Sequence, residues 1–313
     1  MSQAIAVFSN RRSRQNRMRP ELLLGLKRTY AGRADFFEPE DMEALRRDAR
    51  RALEMGYRYL AINGGDGTTH QVLTAFEEVR GDLPFPRIAL LRGGTMNNVT
   101  DSFRIRGTPK SILGRLCDVV SEGVEPTLAR RCALAVSDGS RRRLGFIFGT
   151  GLMASFLKEY YAEGETSPVT AAWMAARLCT SVAVQGELYR KLSGKIHHRL
   201  QADGELWLDK DLICLMCATT EEIGLRLAPF SSAGRHTDRF SAVAVEGPMM
   251  AIVTALPAIW RASEMTMRGF EERLPQKLEL SLPGIFDYTM DGDLYEAASL
   301  SLSLGPELAI FIP

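Results

Sequence analysis

Over the first third of the chain, short apolar runs alternate with amphipathic stretches. Ala4 to Phe8 (AIAVF), Ala34 to Glu38, Tyr57 to Ile62 (YRYLAI) and Arg87 to Leu91 (RIALL) have the length and content of buried strands. Between them lie segments with helical spacing. Pro20 to Lys27 is one, and Pro39 to Met55 another, with Met42, Leu45, Ala49 and Leu53 on one face. A third runs to about Val79 with Val72, Leu73 and Phe76 aligned, and a fourth covers Thr108 to Ser121. Repeated βα units predict a parallel sheet covered by helices.

Around Arg130 the pattern changes. Cys132 to Val136 and Leu144 to Phe148, joined through Asp138-Gly139-Ser140, predict a hairpin, and so do Leu200 to Ala202 and Leu206 to Leu208 around Asp203-Gly204-Glu205. Leu212 to Ala218, Phe240 to Val245, Lys277 to Leu282 and Leu300 to Leu304 add short strands. Such strands suggest an antiparallel sandwich. Two helical segments, Ala171 to Tyr189 and Met249 to Phe270, interrupt it. The expected fold is therefore an N-terminal Rossmann-like α/β domain with a parallel sheet and a C-terminal antiparallel β-sandwich domain. The boundaries fall at residues 1–128, joined by the tail from about 303 to 313, and 129–302.

The length of 313 residues agrees with two domains. Hydrophobic residues make up 45% and charged residues 25%, as in soluble globular proteins, and a net charge of +1 gives no field for nucleic acid. Arg11, Arg12, Arg14, Arg17 and Arg19 form one basic run, a solvated face that would also suit phosphates or an anionic bilayer. The N-terminus lacks the pattern of a signal peptide. Met249 to Trp260 is too short to span a bilayer, and Arg177 interrupts Val169 to Val184. Of five cysteines, Cys214 and Cys217 would point to opposite faces of a strand, which reads as buried thiols in a reducing cytoplasm.

The chemistry concentrates in Asn63-Gly64-Gly65-Asp66-Gly67-Thr68-Thr69-His70, between the Tyr57 to Ile62 strand and a helix. A glycine-lined turn at a helix N-terminus lets backbone N–H groups approach an anion, and Thr68 suits an N-cap or a phosphate-facing hydroxyl. Asp66 beside phosphates requires a cation or a proton in transit. Arg92-Gly93-Gly94-Thr95-Met96-Asn97-Asn98 is a second such turn, on the next strand. Asp291-Gly292-Asp293 is the third element. Asp203-Gly204 and Asp138-Gly139 read as plain hairpin turns, but the late copy stands just before the last strands. No P-loop is present. Phe148-Gly149-Thr150-Gly151-Leu152-Met153-Ala154 lacks the downstream acid of a dinucleotide fingerprint. His197 and His198 lack metal-ligand partners and read as surface residues.

Gly64-Gly65-Asp66-Gly67-Thr68, Gly94-Thr95-Met96-Asn97 and Asp291-Gly292-Asp293, in that order, resemble the diacylglycerol kinase catalytic family, which includes bacterial lipid kinases, sphingosine kinases and ceramide kinases. Gly149-Thr150-Gly151 resembles the G-x-G motif that lies midway along family sequences, and the first motif is shared with NAD kinases. The resemblance implies ATP and Mg²⁺ as cofactors, with Asn10, Gly64, Gly65, Asp66, Gly67, Thr68, Thr69, His70, Gly94, Thr95 and Asn97 around the nucleotide. It implies Asp293 as proton acceptor, Asp66 as a second catalytic acid and metal ligand, and Asn98 and Asp291 on the substrate side. Gln71, Asn98, Met153 and Arg92 depart from the family's usual Glu, Asp, Asp and Pro.

The expected activity is phosphorylation of a hydroxyl on a diacylglycerol-like, sphingoid or ceramide-type lipid. The expected setting is cytoplasmic, peripheral at the inner membrane face, with no nucleic-acid partner and homodimerisation left open. Ala171 to Val184 and Met249 to Ile259 are candidates for membrane contact, or else helices packed on the sandwich. Two other readings stand beside it: a soluble NAD kinase-like enzyme, and a catalytically weak lipid-binding protein of the same fold. Asp66→Asn is expected to lower turnover far more than stability, because the acid is read as facing a cleft.

Overall fold

The structure, a computed structural model, describes residues 4–11, 13–94, 96–164, 167–225, 227–230, 232–234, 236–261 and 269–313. The chain forms two compact units, Met1–Ala133 with Pro306–Pro313, and Leu134–Gly305.

In the first unit, strands β1 (Ile5–Ser9), β2 (Asp35–Phe37), β3 (Tyr59–Asn63) and β4 (Arg87–Leu90) alternate with helices. These are α1 (Arg14–Met18), α2 (Pro20–Tyr30), α3 (Met42–Glu54), α4 (Asp66–Arg80), α5 (Asn98–Ser102) and α6 (Pro109–Glu122). The strands are parallel in the order β2-β1-β3-β4, and Ile310 near the C-terminus extends the sheet beside Ile88. All five residues of β1 and of β3 are buried, as expected for strands covered on both faces. Boundaries follow local chemistry. Asp41 caps α3 by accepting from the Ala44 N–H, which starts that helix three residues after Pro39. Thr108 and Ser111 form a capping box on α6, which ends at Gly123 in the left-handed conformation. Phe8 stacks on Phe37 and meets Phe76 edge-on, tying β1 to β2 and α4. Parallel order puts the ends of β1, β3 and β4 at one edge of the sheet, and both glycine turns lie there.

The second unit is antiparallel. β5 (Leu128–Ser137) enters it and pairs with β6 (Arg142–Gly145). β7 (Ile147–Thr150), β8 (Ile196–Ala202), β9 (Glu205–Leu212), β10 (Cys214–Ala218), β11 (Ser241–Val245) and β12 (Phe270–Arg273) follow. Two long strands, β13 (Lys277–Met290) and β14 (Asp293–Phe311), complete it. β13 pairs with β8 through Leu278 to Ser281 and, after an irregularity, with β7 through Tyr288 to Met290. One strand thus serves two layers, and their inner faces share a core that includes Phe148, Leu200, Leu215, Phe240, Leu280 and Tyr288.

Several local expectations are corrected. The short strands expected at Lys277 to Leu282 and Leu300 to Leu304 belong to strands of 14 and 19 residues. Pro283-Gly284 reads as a break in sequence, yet the pairing only shifts register there. The expected strand Leu144 to Phe148 is split between β6 and β7, because the Phe146 and Ile147 amides turn toward the Asp291 carboxylate. A helix, α7 (Leu152–Ala162), follows β7 where the sequence pattern indicates only a glycine motif. The segment from Ala171 to Tyr189 divides into α8 (Pro168–Val184) and α9 (Glu187–Leu192) at Gln185, whose φ is 51°. α10 spans Met249–Trp260, and Phe270 begins a strand instead of ending a helix. His198 is fully buried, its Nε2 3.0 Å from the Thr150 hydroxyl and its Nδ1 2.7 Å from the Ile196 carbonyl, and burial lowers its pKa. Cys214 and Cys217 are buried in β10, and burial pushes the Cys214 thiol up to about 12.

Candidate active site

The first glycine turn leaves β3 at the buried Asn63 and enters α4 at Asp66. Gly65 is the N-cap of α4 and has no side chain to accept from the first-turn amides. The N-terminal amides of a 15-residue helix therefore point out of the turn with partial positive charge. Thr69 donates from its hydroxyl to the Gly65 carbonyl at 3.2 Å, and the Thr68 hydroxyl accepts from Asn10 Nδ2 at 3.2 Å. Asn10, at the end of β1, also donates from its backbone N–H to the Asn63 carbonyl at 3.3 Å. His70 is buried, one residue further into the helix.

The second turn follows β4. Arg92 adopts a φ of 58° and its guanidinium donates to the Asp101 carboxylate and, at 2.8 Å, to the Ile105 carbonyl. The Asn97 side chain closes the turn, accepting from the Gly94 N–H at 3.3 Å and donating to the Gly94 carbonyl at 3.1 Å. Thr95, the remaining expected nucleotide contact of this turn, lies outside the described residues.

The two turns meet backbone to backbone. A Cβ on Gly94 would stand 2.2 Å from the Gly65 Cα and 2.6 Å from its nitrogen. One on Gly93 would stand 2.1 Å from the Asn63 side-chain oxygen. The glycines are thus required by contact between the turns, as well as by any approach to an anion.

Asp66 holds that contact. Its carboxylate accepts the Asn98 N–H at 2.9 Å and the Val99 N–H at 3.0 Å, the first amides of α5. Asp66 is 8% exposed, and its pKa rises from the usual carboxylate range to about 7. Burial is the main cause, the Val99 and Asn98 amides pull the other way, and Asp101 adds to the rise. The sequence pattern suggests an acid facing a cleft. The structure instead turns it inward as a clamp from α4 to α5. Asn98, expected as a substrate contact, supplies its backbone N–H to that clamp.

Sequence reasoning missed the supporting polar residues. Asn16 donates to the Asn10 carbonyl at 2.8 Å, Ser13 to the Gly93 carbonyl at 3.4 Å, and Asn63 to the Ser9 hydroxyl at 3.3 Å. The one signal of Ser13 and Asn16 in the sequence is a cluster of Asn and Ser within the arginine run, while Asn63 heads the first glycine motif.

In the second unit, Asp291-Gly292 is a two-residue hairpin turn between β13 and β14, with φ values of 48° and 92°. The Asp291 carboxylate accepts the Ile147 N–H at 2.8 Å and the Phe146 N–H at 3.1 Å. Asp203-Gly204 is built alike: φ values are 53° and 86°, and its carboxylate accepts the Gln276 and Lys277 N–H groups, each at 2.9 Å. The late Asp-Gly is therefore no different in kind from the earlier one, and Asp291, expected at the substrate, braces the start of β7. Asp291→Ala is expected to cost about 2–5 kcal/mol in urea unfolding, because two buried amides lose their acceptor. Asp293 is half-buried at the first position of β14, and the Tyr161 hydroxyl donates to the neighbouring Gly292 carbonyl at 2.7 Å.

Residues 4–127, which hold both glycine turns, match the diacylglycerol kinase catalytic domain family. The match covers most of the first unit and less than half of the chain. Solved structures share the fold of this chain. A putative diacylglycerol kinase from Bacillus anthracis str. Sterne superposes with a TM-score of 0.71 at 9% identity, over 100% of this chain and 97% of that one. A second diacylglycerol kinase from the same organism gives 0.65 at 8%, covering 99% and 97%. Yeast NADH kinase, solved as a complex with NADH, gives 0.53 at 10%, covering 100% and 84%. No curated protein matches the chain by sequence. A kinase domain of this family implies an ATP-type nucleotide and a divalent cation. Among the described residues, no group of three or more His, Cys, Asp or Glu side chains could cage such an ion.

Proposed function

We propose that the protein transfers the γ-phosphoryl group of ATP to a hydroxyl of a diacylglycerol-like, sphingoid or ceramide-type lipid. The observation that carries this reading is the pair of glycine turns, fused backbone to backbone at the ends of adjacent parallel strands within the segment that matches the diacylglycerol kinase catalytic domain family. Phosphoryl transfer asks the protein mainly to position phosphates and to stabilise their charge. The uncapped start of α4 and the turn amides supply donors, with Asn10 and Thr68 beside them. Asp66 keeps the two turns in register. Mg²⁺ would arrive with the nucleotide, whose phosphates supply part of its ligand shell.

Asp293 is the acid assigned to accept the lipid hydroxyl's proton. Asp293→Ala is expected to lower kcat by about 10²–10⁴-fold with an unchanged melting temperature, the range for loss of a general base. An equal fall in both would assign it a structural role.

No described helix is long and apolar enough to cross a membrane. Incubation with γ-labelled ATP and a panel of detergent-dispersed lipids, with NAD and NADH alongside, tests the proposal. Label in an organic-extractable product supports it. Label in the dinucleotide alone, or in no product, overturns it.

A further inference from the structure

We propose that the protein lies on anionic bilayers through the outward face of α8 and α10, a surface built to bury tryptophan among headgroups. The proposal deepens the lipid-kinase reading, for which it supplies the route to the acceptor, but its evidence is separate.

Ser167 caps α8, which turns Ala171, Met174 and Val182 inward. On the opposite face Val169, Trp173, Ala176, Thr180 and Val184 recur at spacings of three and four, and all are exposed. α10 packs against α8 and contains no charged residue, with Met249, Ala255 and Ile259 inward and Met250, Thr254 and Trp260 outward. Trp173 is 55% exposed and Trp260 65%. Five of the fourteen exposed large apolar side chains of the described residues fall on these two contacting helices.

Charge selects the occupant. Neither helix contains a carboxylate. Arg177 projects from the α8 face with its guanidinium 4.6 Å over the Trp173 ring, and Arg261 and Arg190 stand exposed at the ends of α10 and α9. Arg177 also pairs with Glu163 at 2.6 Å, which leaves its stem along the apolar face. Tryptophans flanked by arginines on short helices match the layer between acyl chains and anionic headgroups. Two contacting helices that each turn one face inward and expose the other have the geometry of a face lying in the plane.

The protein's three tryptophans allow a direct test, because Trp207 is 7% exposed and donates from Nε1 to Glu271 at 2.5 Å. Full-length protein without nucleotide is mixed with vesicles of phosphatidylcholine, alone or with phosphatidylglycerol. Expected results are co-sedimentation with the anionic vesicles, a blue shift, and quenching by brominated acyl chains that disappears in Trp173→Phe/Trp260→Phe. Trp173→Glu should weaken vesicle binding about tenfold or more with an unchanged melting temperature, as the site is exposed. Equal binding by wild type and Trp173→Glu overturns the proposal. So does absence of quenching, or a dimer in light scattering that Trp173→Glu dissolves, which would assign the face to a second copy. Phosphorylation of detergent-dispersed lipid needs no vesicle, so the kinase reading and this surface can fail independently.

Discussion

Asp66→Ala is expected to lower turnover and thermal stability together. The substitution strands the Asn98 and Val99 amides in a buried setting, at about 1–3 kcal/mol each, and frees α5 from α4. The second glycine turn then loses its register on the first. The effect should depend on pH in a defined direction. The folded pKa of about 7 lies above the ordinary 3.8, so between those values the folded protein binds a proton that the unfolded one has released. Stability from this group is therefore greatest at the acid end of the window and declines as pH rises toward 7, by on the order of 1 kcal/mol per pH unit. The cost of Asp66→Asn should accordingly be larger at pH 5 than at pH 8. Melting curves and initial rates on the same samples check this. Lost turnover with an unchanged melting temperature at every pH would mean that the carboxylate serves the substrate instead.

Gly94→Ala should be nearly as damaging to function with less effect elsewhere. Its Cβ would sit 2.2 Å from backbone atoms of Gly65, where no side chain can move aside. The turns must separate, and a misplacement near 1 Å at a reacting centre costs about 10²-fold in rate. Nucleotide affinity measured by calorimetry should fall with kcat. Gly25→Ala in α2 is the matched control, because nothing lies within 4 Å of its added Cβ, and it should stabilise by about 0.5–1 kcal/mol. Normal turnover in Gly94→Ala would show that the contact between the turns is dispensable.

Both glycine turns are legible in the sequence because glycine clusters after short apolar strands have few structural uses. What the glycines do is less so: an unbranched backbone needed at an anion and one needed at a second backbone leave the same residues. The orientation of Asp66 is hidden for a related reason. An acid at a helix start can face out to a ligand or across to another helix's amides, and only the position of α5 decides. The parallel sheet emerges from its alternating pattern, and the family match and shared fold agree with it. The second unit is less readable where local rules give way to tertiary pairing. Pro283-Gly284 does not end β13, and Gly149-Thr150-Gly151 draws attention from the helix that follows. His198 looks like a surface residue beside His197, although β8 alternates faces and places it inward opposite Thr150.

Amide hydrogen exchange with and without ATP and Mg²⁺ tests the central claim most directly. Bound phosphates should slow exchange at Gly64 to Thr69 and at Gly93 to Val99 together, with Gly94→Ala abolishing both effects at once. Protection confined to other segments, or none at saturating nucleotide, would contradict the assignment of the joined glycine turns as the phosphate site.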